Sequence, residues 1–266
     1  MSSEAGNDPS RRTLRLLAIG TSTDWCSVSL LVRDPDGTRT ASADERAGQS
    51  QSRRLLPMIE SLLRENNLAM SDLDAIAFDA GPGAFTSLRI GCGVAQGLGF
   101  ALSIPLIPVG SLEALAEQGG ADWTLAATDA RMSEVYWAVL RRDGDRLVAV
   151  CPPKARDVRD PAAMLVDWRA IVPERPGAAT MLAIGDAFER HPQLRAAVAA
   201  AGLPIATPPF PASLAIVRLA AIRFDAGDCV PARDAAPLYV RDKVALDVDE
   251  QRALRAARAA GTVGQP

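Results

Sequence analysis

One stretch, Ala80 to Leu102, limits most strongly how this chain folds: AGPGAFTSLRIGCGVAQGLGFAL. It comes after a short apolar run, Ala75-Ile76-Ala77-Phe78, that reads as a buried strand. Gly81-Pro82-Gly83 breaks that strand with a tight turn. Thr86 or Ser87 is placed to cap a helix, and Leu88 to Leu102 has helical spacing. That helix carries four glycines, Gly91, Gly93, Gly97 and Gly99. Each is about 1 kcal/mol less favourable than alanine in a helix interior, roughly 4 kcal/mol together. Close approach of another backbone is the usual compensation. The helix is also apolar nearly all round. Ile90, Val94, Leu98 and Leu102 form one stripe, flanked by the small-residue rows Gly91-Ala95-Gly99 and Gly93-Gly97-Ala101. A helix without a wet face is covered on both sides, one side by its own sheet and the other by the same chain or a second one.

The 266 residues suffice for one large domain or two small ones. A net charge of -3 argues against a dedicated nucleic-acid binder acting alone. No run reaches the length of a membrane span, and the polar start lacks a signal-peptide core, so a cytoplasmic protein is expected. The cysteines Cys26, Cys92, Cys151 and Cys229 are scattered and read as buried free thiols. His191 is the one histidine, which removes a histidine-rich metal site; beside Pro192 it reads as a surface or helix-start residue.

Strands are expected at Leu14 to Ile19, Cys26 to Val32 and Thr38 to Arg46, the last near a sheet edge. Ser50 or Ser52 then caps a helix to about Asn66, with Pro57 bending its first turns. The strand at Ala75, the glycine-rich helix and a strand at Leu106 to Val109 come next. Three linked strands and then crossover helices imply a mixed sheet covered by helices. A second, similar round begins with a helix capped by Ser111. Strands are expected at Thr124 to Ala127, Val135 to Arg141, Arg146 to Cys151, Met181 to Ile184 and Leu203 to Thr207. Helices are expected at Pro161 to Ile171, Pro192 to Ala201 and Ala212 to Phe224, with Pro237 to Val240 extended and Asp247 to Ala260 a marginal helix.

Taken together, several motifs resemble the TsaB (YeaZ) family. They are Leu17-Ala18-Ile19-Gly20-Thr21-Ser22-Thr23, Ser52-Arg53-Arg54-Leu55-Leu56-Pro57, and Gly81-Pro82-Gly83-Ala84-Phe85-Thr86 with Leu88-Arg89-Ile90-Gly91. Val109-Gly110-Ser111-Leu112-Glu113, Asp129-Ala130-Arg131-Met132 and Pro237-Leu238-Tyr239-Val240-Arg241 continue the match, which spans roughly residues 14 to 243. The resemblance implies an α/β, actin-like fold of the Hsp70/sugar-kinase type, duplicated, with mixed sheets covered by helices. Residues 1–13 would be a disordered start and 246–266 a tail. Residues 14–109 and 110–245 would be the two subdomains, with helix 212–224 free to pack back on the first.

The resemblance further implies a non-catalytic scaffold for TsaD in making threonylcarbamoyladenosine beside the anticodon of certain tRNAs. TsaD would be the heterodimer partner and TsaE a further component. tRNA would be met only through the complex, and the chain would form a homodimer in isolation, with no membrane contact. No catalytic residue, metal or cofactor is expected. Family sequences usually begin the first turn with Asp-Thr-Ser-Thr, and here Gly20 stands in place of the acid. The glycine loop departs as well, with Ala84 and Ser87 where the family has serine and glycine. Rival readings are an ATP-using kinase-like enzyme, which needs magnesium ligands in the first turn, and a peptidase, which needs a metal or a nucleophile-base pair.

The interface is expected on the two apolar helices. Its residues are Leu55, Leu56, Ile59 and Leu63 from one, and Arg89, Gly91, Val94, Ala95, Leu98, Gly99 and Leu102 from the other. Thr21, Ser22, Thr23, Gly81, Gly83 and Asp129 form a candidate phosphate cradle; the missing acid favours an inherited turn instead. Asp129 and Arg131 at a strand end fit a ligand site, an ion pair or a turn cap alike. Tyr136, Trp137 and Tyr239 read as packing aromatics, and Arg252, Arg255 and Arg258 as a solvated face.

Overall fold

The computed structural model describes residues 13–172, 179–208 and 210–240. The expectations for residues 1–12, for Arg241 and for the tail with Arg252, Arg255 and Arg258 lie outside the described residues. Two five-stranded sheets carry the architecture. In the first, β1 (Leu14–Gly20), β2 (Trp25–Asp34) and β3 (Gly37–Arg46) form an antiparallel meander, and β4 (Ala75–Gly81) and β5 (Leu106–Gly110) add in parallel beside β1. The order is β3-β2-β1-β4-β5, which makes the polar β3 an edge strand. In the second sheet β6 (Trp123–Arg131), β7 (Glu134–Asp143) and β8 (Arg146–Asp157) repeat the meander. There β9 (Met181–Ile184) and β10 (Ile205–Ala206) add in parallel beside β6. The two sheets share one connectivity, so the chain is a duplicated actin-like fold.

Alternation along β1 divides the first core into two faces. Leu17 and Ile19 point to α1 (Gln51–Glu65) and α2 (Phe85–Leu102). Leu16 and Ala18 point to the opposite face, which is covered by α7 (Ser213–Asp225) through Ala215, Ile216, Leu219 and Ala220. Beside α7 lies α3 (Ser111–Gly119), whose Leu112 and Leu115 cover Ala126, Ala138 and Ile184 of the second sheet. The far face of that sheet packs on α4 (Pro161–Ile171) and α6 (Pro192–Ala200). The layers therefore run helices, sheet, helices, sheet, helices. Every residue of β4 is buried, as a parallel strand covered on both faces requires.

Several boundaries differ from the sequence reading for physical reasons. Helix α2 begins at Phe85, with Ala84 in the cap position, so Thr86 and Ser87 lie inside the first turn and cannot cap it. Ser50 does precede α1, yet its hydroxyl donates to the Ala47 carbonyl at 2.6 Å rather than to the helix. Helix α1 runs uninterrupted through Pro57, which sits on its exposed side. Gly110, not Ser111, caps α3; the Glu113 carboxylate accepts the Gly110 N–H at 2.8 Å. A short helix, α5 (Ala187–Arg190), separates β9 from α6. Residues 237–240 form no regular element and are tied to the first sheet where Leu238 N–H donates to the Ala80 carbonyl at 2.7 Å. Among the described residues, no helix is long and apolar enough to cross a membrane.

Candidate functional site

Two features of the surface bear on function: a cleft between the sheets and the outward side of α2. The cleft has a volume of about 420 Å³. One wall is the β1–β2 turn with Ser22, Thr23 and Asp24, joined by the Pro82–Ser87 loop and helix start. The other wall is the β6–β7 turn with Asp129, Arg131 and Met132, together with Tyr136, Asp186 and Arg190.

The structure brings the candidate phosphate residues together but occupies them in packing. The Thr21 hydroxyl is buried and donates to the Ser87 carbonyl at 2.8 Å. The Ser22 carbonyl accepts the Ala84 N–H at 2.8 Å, and a Cβ on Gly83 would collide with Ser22. Thr23 accepts the Trp25 N–H at 3.3 Å, and its carbonyl accepts the Gln51 side chain at 2.7 Å. Gly81 precedes a cis proline and holds a φ of 101°, a conformation that side chains disfavour. Gly20 is buried, and a Cβ there would stand 3.4 Å from the Pro211 carbonyl and from Ile216. An acid at that turn would therefore point into space bordered by a carbonyl.

Asp129 serves as an acceptor for its own wall. His191 Nε2 lies 3.2 Å from its Oδ1, the Arg131 N–H donates to the same oxygen at 3.2 Å, and the Arg131 side chain stands 3.7 Å from Oδ2. Its own N–H donates to Asp186 at 3.0 Å. The ion-pair and turn-cap readings of Asp129 and Arg131 thus hold together. His191 starts α6 and faces Asp129. Burial pushes the Asp186 carboxyl above its ordinary value, opposed by the Asp129 N–H and by Arg190. Of the three aromatics, Trp137 is buried in the core and Tyr136 faces the cleft, whereas Tyr239 is 47% exposed and packs at the surface against Phe85 and Arg89 of α2 rather than in the core.

Asp79 is easily missed in the sequence because it hides in an apolar run. It is fully enclosed at the end of β4, where Gly81 N–H donates to it at 3.0 Å and the Ser111 hydroxyl also donates. Burial raises its pKa, opposed by Ser111, Ser22 and Gly81. The residue links the β1–β2 turn, the glycine loop and the start of α3. All four cysteines are free, and burial raises Cys26 to about 11.

The helices α1 and α2 correct the expected interface. Leu55, Ile59, Leu63, Gly91, Ala95 and Gly99 are buried in the chain's own core, because these positions face the first sheet. Gly99 sits close against Leu106 and Ala232, and Gly91 against Thr21. Val94, Leu98 and Leu102 are half-buried. Of the expected residues Leu56 and Arg89 stay open, and Gly93, Gly97 and Phe100 join them. A Cβ on Gly93 or Gly97 would meet nothing within 4 Å. Phe100 is 62% exposed and Leu56 on α1 41% exposed. Arg89 is exposed on the same side, one turn before Gly93. Helix α2 is therefore covered on one face and bare on the other.

The chain is similar to known proteins over most of its length. Residues 43–191 match the family model described as TsaD: tRNA N6-adenosine threonylcarbamoyltransferase. The tRNA threonylcarbamoyladenosine biosynthesis protein TsaB of Haemophilus influenzae is 38% identical over 168 residues, 62% of this chain and 64% of that protein. The protein of the same description from Escherichia coli is 40% identical over 151 residues, 53% of this chain and again 64% of the relative. The match thus spans just under two thirds of these curated relatives' length. The solved structure of YeaZ from Pseudomonas aeruginosa superposes with a TM-score of 0.69 at 32% identity, covering 85% of this chain and 99% of that one. With the duplicated fold, the glycine loop and a solved relative matched almost end to end, the chain belongs to the TsaB (YeaZ) family.

Proposed function

We propose that this chain is a non-catalytic scaffold that activates a TsaD-type subunit in threonylcarbamoyladenosine modification of tRNA. The observation that carries this reading is the bare side of α2. Gly93 and Gly97 leave room for a second helix to approach, Phe100 exposes apolar surface on the same helix, and Leu56 exposes more on α1. Apolar surface of that kind, rimmed by polar residues, marks a protein docking site. The cleft supports the non-catalytic part. Its hydroxyls hold the chain's own loops, Asp129 accepts from its own wall, and Gly20 offers no ligand for magnesium. The naming of the curated relatives supports the pathway.

In this reading TsaD is the heterodimer partner, TsaE joins the assembly, and tRNA is contacted only through the complex. In the partner's absence the same face pairs with a second copy of this chain. The test is tRNA modification by the TsaD-type and TsaE-type proteins of the same organism, with and without this chain. Modification that depends on the chain, and a complex that survives gel filtration, are expected. Full modification in its absence would overturn the reading. The isolated chain should not turn over ATP with magnesium; turnover abolished by Thr23→Ala would restore the enzyme reading.

A further inference from the structure

Arg89 is the only charged residue of α2, and its exposed side chain has aromatic partners on its own helix and on a neighbouring segment. Its guanidinium carbon lies 3.7 Å from the centre of the Phe85 ring and 5.8 Å from that of Tyr239. The Nε–H donates to the Tyr239 hydroxyl at 3.1 Å. The two rings stand 5.7 Å apart and tilted, so they fix the plane of the group between them. This arrangement uses Nε and leaves the two Nη groups as a fork. Among the described residues, no acidic side chain pairs with that fork.

The position matters because Arg89, Gly93 and Gly97 fall at intervals of four and share one side of the helix. A partner that closes on Gly93 and Gly97 takes water from Arg89 as well. A charge stripped of water without a counter-group is strongly unfavourable. Its planar fork matches a carboxylate with two parallel hydrogen bonds. We infer that the docking partner presents an aspartate or glutamate to the Arg89 fork, and that this pair sets the register of α2 on its partner. The inference rests on the partner reading above and adds the chemistry of the matching surface. A phosphate would fit the same fork. The rest of that side of α2 is apolar, with Phe100 and the open glycines, and the chain carries a net charge of -3, which matches a protein surface and not nucleic acid. Phe85 and Tyr239, each partly exposed, would close around the pair and keep water out.

The experiment measures affinity for the TsaD-type subunit of the same organism by calorimetric titration. Variants Arg89→Lys, Arg89→Gln and Arg89→Glu are compared at unchanged melting temperature. Lys and Gln should weaken binding about tenfold and Glu about a hundredfold, and one acid-to-arginine change in the partner should restore the Arg89→Glu complex. A wild-type chain that forms no complex overturns the partner reading and this inference with it. A wild-type complex that is indifferent to Arg89→Glu, or that no partner change rescues, overturns this inference alone. So does an effect confined to tRNA binding, which would assign the fork to phosphate.

Discussion

The hydroxyl of Thr21 occupies the space that a Cβ on Gly91 would need, and that hydroxyl donates to Ser87 one turn earlier in the same helix. Helix α2 is thereby pinned to the β1–β2 turn across 66 residues of sequence. Gly91→Ala forces the two apart. Overpacking of this kind costs about 1–3 kcal/mol, against about 1 kcal/mol regained in helix propensity. A net loss of up to about 2 kcal/mol in urea unfolding is expected, and Thr21→Ala should recover part of it in the double variant. An unchanged midpoint would show that the turn yields freely.

Gly93 predicts the opposite sign. Its Cβ would meet only open space, so Gly93→Ala should stabilise the isolated chain by about 0.5–1 kcal/mol. The same methyl group stands where a partner helix would approach. Melting temperature should rise while affinity for the TsaD-type subunit falls. A variant that gains stability and binds as before would place the interface elsewhere.

Gly97→Glu is the sharper probe of that surface. Ala95→Glu is not one, since Ala95 is fully buried and a glutamate there would disrupt the first core. Gly97 faces open space, so a glutamate is tolerated in the monomer. Unchanged circular dichroism, with loss of both self-association and partner binding in gel filtration, is the expected result. A folded variant that still pairs normally would contradict the proposed face.

These contrasts show what was legible in the sequence. Hydrophobic runs and turn residues located both sheets, because period-two burial and glycine-proline breaks are local signals. The small-residue rows of α2 were legible too. Which row faces the core was not, because Gly91, Gly93, Gly97 and Gly99 are chemically identical and only the tertiary packing distinguishes them. The Arg89–Tyr239 contact joins residues 150 positions apart and left no local trace. Asp79 did leave one, a lone acid between Phe78 and Ala80 ahead of the glycine loop.

Asp79 makes stability depend on pH. Burial raises its pKa in the folded chain above the ordinary 3.8. The folded state therefore holds the proton more tightly than the unfolded one. This contribution to stability is fully present below the ordinary value and is lost as pH rises through the raised one. Asp79→Asn mimics the protonated form and lacks this dependence. The melting temperature of the variant, taken relative to wild type, should climb as pH rises from about 4 toward neutrality. A difference that stays flat across that range would mean the carboxyl is not destabilised by burial.

The β6–β7 turn holds three consecutive non-glycine residues with positive φ: Arg131 at 64°, Met132 at 53° and Ser133 at 59°. Arg131 pairs with Glu134, so Met132 and Ser133 form a two-residue hairpin loop with both angles positive. That loop type favours Asn-Gly, because asparagine and glycine enter the left-handed region most readily. The side chain of Met132 is 80% exposed and contributes little packing that would be lost on replacement. Each ordinary residue held there costs of order 1 kcal/mol. The double change Met132→Asn, Ser133→Gly should therefore stabilise the chain by about 1–2 kcal/mol, or roughly 3–6 °C in melting temperature for a chain of this size. Met132 and Arg131 also line the cleft, so the same variant reports on whether the strain is retained for function. Higher stability with intact tRNA modification would make the strain incidental. Higher stability with impaired modification would assign the turn a part in the assembly, and a lower melting temperature would show that Met132 packs against something in the folded chain.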